Sequence, residues 1–197
     1  MRIRLAQEAA RILVESGGQD YLMAKRKAAI HLGAVDTRNM PSNMEIEQAV
    51  MEYQRLFRGE SQPQILQALR REALKAMEFF VDFRPKLVGP VLQGTADAHT
   101  PITLHIVAPT VEEVGMFLMR YNIPYHLHDK RLRLPNDVTE TFTSYRFMAG
   151  EFQLDVIVFF SGKPVSPLSP VDGRPMRRAS TEELRALLED TSGDQPI

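Results

Sequence analysis

The sequence predicts an α/β protein of the α+β kind, with a helical N-terminal region packed on a small mixed β-sheet. Three observations predict it. Apolar side chains recur at helical spacing through the first 84 residues. The spacing shortens to two after Pro85, and one further helical stretch interrupts the strand-like runs that follow. At 197 residues, 44% hydrophobic and 25% charged, the chain holds enough apolar material for one full domain with a sizeable core.

Leu5, Ala9, Ile12 and Leu13 share one face of a first helix, opposite Arg4, Glu8, Arg11 and Glu15, and Gly17-Gly18 stops it. Asp20 suits the N-cap of a second helix that reaches Leu32, and residues 33–41 form a connector. Ser42 and Glu45 spell a capping box, in which hydroxyl and carboxylate satisfy each other's N–H, ahead of a third helix striped by Ile46, Val50, Tyr53 and Phe57. Pro63 suits the first turn of a fourth helix, where its missing N–H is not needed. Ile65, Leu69, Ala73, Ala76 and Phe80 face inward along that helix, and Pro85 closes it.

Residues 87–92 and 102–107 then read as short apolar strands. Thr110 caps a helix carrying Val111, Val114, Leu118 and Tyr121. In residues 124–128, Tyr125 and Leu127 alternate with His126 and His128 as in a half-buried strand, and residues 131–134 continue the alternation. Residues 139–148 and 152–160 flank Ala149-Gly150-Glu151 as a hairpin. Residues 161–179 contain Pro164, Pro167, Pro170 and Pro175 and read as a long loop, after which Ser180 and Glu183 open a last helix reaching Asp190. The domain reading is a helical region over 1–84, an α/β domain with its C-terminal helix over 85–190, and a flexible tail over 191–197.

Composition excludes several function classes. A net charge of −1 provides no global drive toward nucleic acid or anionic membrane. Without cysteine there is no disulfide framework, thiol catalysis or zinc–thiolate site. The longest strongly apolar run, residues 156–160, is far below the ~20 residues of a membrane-spanning helix. Met1-Arg2-Ile3-Arg4 leads into an amphipathic pattern and not a signal peptide. A cytoplasmic protein without membrane contact is the expectation.

Motifs narrow the chemistry further. The chain lacks a phosphate loop, a Gly-x-Gly-x-x-Gly turn, a Gly-x-Ser-x-Gly elbow and a His-Glu-x-x-His pair. Lys25-Arg26-Lys27 and Arg70-Arg71 are basic clusters on helices, suited to phosphate contact or to a solvated face. His126 and His128 share a strand face about 7 Å apart at Cα, a spacing open to metal ligation or to plain solvent exposure. Arg174, Arg177 and Arg178 stand in a stiff loop with an Asp172-Gly173 turn, placed to reach an anionic ligand or to cover the sheet.

The most informative run is Leu-Val-Gly-Pro-Val-Leu-Gln-Gly-Thr, residues 87–95, which reads as a strand ending in Gly94-Thr95. A short loop, the strand 102–106 and, later, Leu154-Asp155-Val156 complete the pattern. Over residues 85–160 this resembles the nucleotidyltransferase superfamily, the polymerase-β-like fold. Its signature is a strand, Gly-Ser or Gly-Gly, a connection and Asp-x-Asp on the next strand, with a third carboxylate on a neighbouring strand. More loosely, the whole chain is similar to a group of bacterial proteins with a helical start and such a core. In that superfamily the glycine lets backbone approach the triphosphate, and the carboxylates hold two Mg²⁺ ions. Matched residue by residue, Gly94 and Thr95 take the Gly-Ser step and Asp155 the third carboxylate. Pro101 and Thr103 stand where the paired carboxylates belong, with His105 next on the same face.

The resemblance therefore implies a nucleotidyltransferase-like fold with a degenerate metal site, binding a nucleotide, RNA or a protein partner without catalysis. Gly94, Thr95, Thr103, His105, Arg174 and Arg177 are the nucleotide-binding candidates, and Asp155 is the one matching carboxylate. No metal or cofactor is expected. Mg²⁺ enters only under the alternative, an active nucleotidyl- or phosphoryl-transferring enzyme. A further alternative is a structural adaptor that meets a protein partner through its helical half. Two expectations are local. Thr103 and His105 should lie beside Asp155 on one sheet face. Any anion should bind the exposed N–H groups of the Gly94-Thr95 turn, helped by an arginine of the 174–178 loop and by protonated His105.

Overall fold

Capping residues set the helix starts. The computed structural model describes residues 1–16, 20–34, 39–57, 62–163 and 165–192. Gly17-Gly18, the middle of the 33–41 connector, the Phe57 side chain, Pro164 and the tail after Ser192 lie outside the described residues. The chain runs α1 (Arg2–Ser16), α2 (Tyr21–His31), α3 (Asn43–Phe57), α4 (Gln62–Phe79), β1 (Lys86–Val88) and α5 (Pro90–Gln93). It continues with β2 (Ile102–Ala108), α6 (Val111–Arg120), β3 (His126–Arg133), β4 (Thr139–Ala149), β5 (Phe152–Phe160) and α7 (Thr181–Ser192). Asp20 accepts the Met23 N–H at 2.9 Å, and Thr110 accepts that of Glu113 at 3.3 Å. Both capping boxes close: Glu45 accepts from Ser42 N–H at 2.7 Å, and Glu183 accepts from Ser180 N–H at 2.6 Å.

The five described strands form one mixed sheet in the order β1-β2-β5-β4-β3, with β2 and β5 parallel and the other pairs antiparallel. This is the α+β architecture that the change of period predicts. One sheet face packs Ile102, Leu104, Ile106, Leu154 and Val156 against Met77 and Phe80, Leu118 of α6 and Leu184 of α7. The first 84 residues, uniform in periodicity, feed two cores. Helices α1–α3 close one around Leu5, Ala9, Leu13, Ala28, Ile46 and Val50, whereas α4 sends Leu69, Ala73 and Met77 into the core of the sheet. Among the described residues no helix is long and apolar enough to cross a membrane.

Two elements depart from the sequence reading. The expected strand over 87–92 stops at Val88, because Gly89 sits at φ 74°, ψ −158°, a region open essentially only to glycine, and Pro90 has no N–H to continue a ladder. A single helical turn, α5, takes its place. The two short runs over 124–134 form one strand, β3, at the sheet edge. Tyr125 just before it packs on Tyr145, but Leu127 is exposed, so the expected burial of that face holds only in part.

Candidate functional site

Alternation along β2 sends Ile102, Leu104 and Ile106 toward the helices and Thr103 and His105 to the opposite face. In the parallel β2–β5 pairing Thr103 stands opposite Asp155 and His105 opposite Ile157. The expected juxtaposition of Thr103, His105 and Asp155 is therefore present. From the other side, β4 brings Arg146 opposite Asp155, and β3 adds Lys130 to the same face.

Thr103 and His105 line a cleft of about 900 Å³. Its walls come from three distant segments: Gly89, Pro90 and Gln93 around α5, residues 168–173 with Met176 of the long loop, and Asp20, Tyr21 and Asn43 of the N-terminal helices. Asn43 Nδ2 donates to the Pro170 carbonyl, which ties the loop to the start of α3. Thr103 is 6% exposed and His105 3%. Among the described residues, neither Thr103 Oγ1 nor His105 Nδ1 has a hydrogen-bond partner. Buried polar atoms are almost always paired, so two such atoms on residues that line one cleft mark a place for a ligand's polar groups.

Asp155 is already satisfied. It accepts from Ser144 Oγ on one oxygen, and on the other from Lys130 Nζ and Arg146 Nη2, each at 3.3 Å. Burial pushes its pKa up, but the Ser144 hydrogen bond and the two cations outweigh that and hold it below the usual carboxylate value. This donor set does not suit a Mg²⁺ clamp. Mg²⁺ wants several oxygen ligands, yet Asp155 faces two cations, with a proline and a threonine where the paired carboxylates would stand and an imidazole next to them. Among the described residues, no three His, Asp or Glu side chains gather as a metal site, and His126 and His128 are exposed on the edge strand.

His105 is corrected in its role. Burial, Arg178 and Lys130 push its pKa down to about 3 against a smaller opposing pull from Asp155, with Lys86 across from it on β1. It is a neutral imidazole at ordinary pH and adds no proton-dependent cation. The sign of the linkage is set by that depression. The unfolded chain binds a proton below about 6.5 while the folded chain does not, so stability is complete above that pH and erodes as pH falls toward 3. Denaturant titrations at about pH 5 and about pH 7 should show stability rising by up to about 1.4 kcal/mol per pH unit. His105→Gln should flatten that slope; an unchanged slope would place the titration elsewhere.

The Gly94-Thr95 step does not present the free N–H groups expected of it. The strand-ending glycine is Gly89, and Gly94 instead ends α5 at φ 93°. The Gly94 and Thr95 N–H groups both donate to the Pro90 carbonyl, at 2.8 and 3.0 Å. Their carbonyls are held by Gln62 at 3.0 Å and Gln54 at 2.6 Å, and the Thr95 hydroxyl donates to Glu47 at 3.0 Å. The turn is thus a joint between α3, α4 and α5 with its polar groups spent. Arg174 and Arg177 are exposed and do not line the cleft; Arg178 is the member of that group that acts on His105. Arg70 belongs to neither reading of its cluster. It is buried, donating to the Val91 and Leu92 carbonyls at 3.1 and 3.3 Å, where it caps the end of α5.

Sequence reasoning missed Ser144, Arg146 and Lys130. Lys130 was within reach, since it shares the parity of His126 and His128 on one strand; the other two depend on the β4–β5 register. No protein-family model matches the chain, and no curated protein matches it.

Proposed function

We propose that this chain is a nucleotidyltransferase-like protein with a degenerate metal site, which binds a nucleotide in the cleft above Thr103 and His105 without transferring it. One observation carries the reading: beneath the cleft the Asp155 carboxylate is matched by two cations, Lys130 and Arg146, so the sheet floor presents a ligand with surplus positive charge. A metal-dependent transferase needs the reverse, surplus negative charge that recruits cations to the phosphates. Here the phosphate meets protein cations directly. The cleft volume of about 900 Å³ suits a nucleotide-sized molecule.

Calorimetric titration of nucleoside mono- and triphosphates with and without Mg²⁺ tests this. Binding that does not require Mg²⁺, and that Lys130→Ala weakens about tenfold, is the expected result. Binding only with Mg²⁺ would favour the enzymatic alternative, and no binding the adaptor alternative.

A further inference from the structure

We infer that the ligand of this cleft lies with an uncharged, hydrogen-bonding ring innermost, against Thr103 and His105, and with its anionic group outermost, at Lys130. The inference rests on the nucleotide-binding reading and assigns the direction in which the ligand enters, a nucleobase first.

Depth and charge are segregated in the cleft. The innermost lining residues, Val88, Thr103, His105 and Ile157, are all at most 6% exposed, and none of them is charged at neutral pH. Two offer unpaired polar atoms, Thr103 Oγ1 and His105 Nδ1, and two are aliphatic. A hydroxyl and a neutral imidazole match the edge of a heterocycle, because each can donate or accept. The aliphatic neighbours match its faces. A phosphate there would lie beside a neutral ring and a hydroxyl, which offer it no charge of their own, and away from water, which is costly. Lys130 is placed differently: about a third of its side chain is exposed, so it reaches water along the cleft while its ammonium group meets the buried Asp155 at a long 3.3 Å. It can turn from that long contact to a phosphate.

Three kinds of probe separate the outcomes: the nucleosides adenosine and uridine, their 5′-monophosphates, and inorganic pyrophosphate, each titrated calorimetrically into the full chain. At least one nucleoside should bind, and its monophosphate should bind more tightly. Thr103→Val should weaken nucleoside and nucleotide by the same factor, about fivefold to tenfold, and leave pyrophosphate unchanged. Lys130→Ala should weaken nucleotide and pyrophosphate and leave the nucleoside unchanged. The wild-type protein supplies a readout that no variant can confound: the His105 Nδ1 resonance should shift on addition of nucleoside and not of pyrophosphate. If Thr103→Val weakens pyrophosphate as much as nucleotide, or pyrophosphate alone moves the His105 resonance, the phosphate lies innermost; the assigned direction is then wrong while the nucleotide-binding reading survives. If no probe binds, both fall.

Discussion

Replacing Phe80 by alanine is expected to cost about 3–5 kcal/mol of folding stability. Phe80 is fully buried just past the end of α4, where its ring meets Phe79 at 5.0 Å, Phe117 of α6 at 5.6 Å, and Phe83 and Phe147 of β4 at 6.2 Å each. Alanine would remove the shared member of that aromatic cluster and leave a cavity among a helix, a strand and the turn after α4. Closing it would require those elements to shift together, which packed cores resist. The exposed neighbour gives the control, since Val81→Ala should stay within about 0.5 kcal/mol. Urea unfolding followed by circular dichroism measures both, and a Phe80→Ala loss as small as that of Val81→Ala would contradict the packing described.

Asp155→Asn is expected to act on stability and on binding in opposite directions. The carboxylate compensates Lys130 and Arg146, and its amide would leave both cations without a counter-charge. Each cation is about one-third exposed, so water takes over part of the compensation and the loss should be about 1–3 kcal/mol, below that of a fully buried pair. The depressed Asp155 pKa adds stability that is present above the normal carboxylate pKa of about 3.9 and is lost as pH falls through the folded value. The variant should lack that acid-side loss, which sets in only at the acid end of the range over which His105 acts. Anion affinity should rise, because Lys130 is released toward the cleft. In a metal-dependent transferase the same substitution would weaken nucleotide binding and abolish turnover. Calorimetry with a nucleoside monophosphate distinguishes the two, and weaker binding in Asp155→Asn would count against the proposed charge arrangement.

Local chemistry was legible along the whole chain. Asp20, Ser42, Thr110 and Ser180 each mark a helix start because a cap is a contact between residues three apart, which needs no tertiary partner. The change of period at Pro85 separates helices from strands for the same reason, and alternation alone places Thr103 and His105 on one face. The break after Val88 was written in Gly89-Pro90 as well, yet the apolar run around it reads as an unbroken strand. Apolar pattern and backbone chemistry conflict there, and backbone chemistry prevails.

By itself, then, the sequence determined the helices and their caps, the α+β order, the hairpin of β4 and β5, and the parity that faces Thr103 and His105 away from the helical core. The tertiary structure alone decided what that parity means. The register across β3, β4 and β5 sets Lys130, Ser144 and Arg146 around Asp155, and so turns a matched carboxylate into a neutralised one. Packing of α3 and α4 spends the polar groups of Gly94-Thr95, and burial converts His105 from a titrating cation into a neutral hydrogen-bonding ring. The division has one physical cause. Caps, turns and alternation depend on dihedral angles and near neighbours, whereas charge compensation and desolvation depend on which distant segments meet.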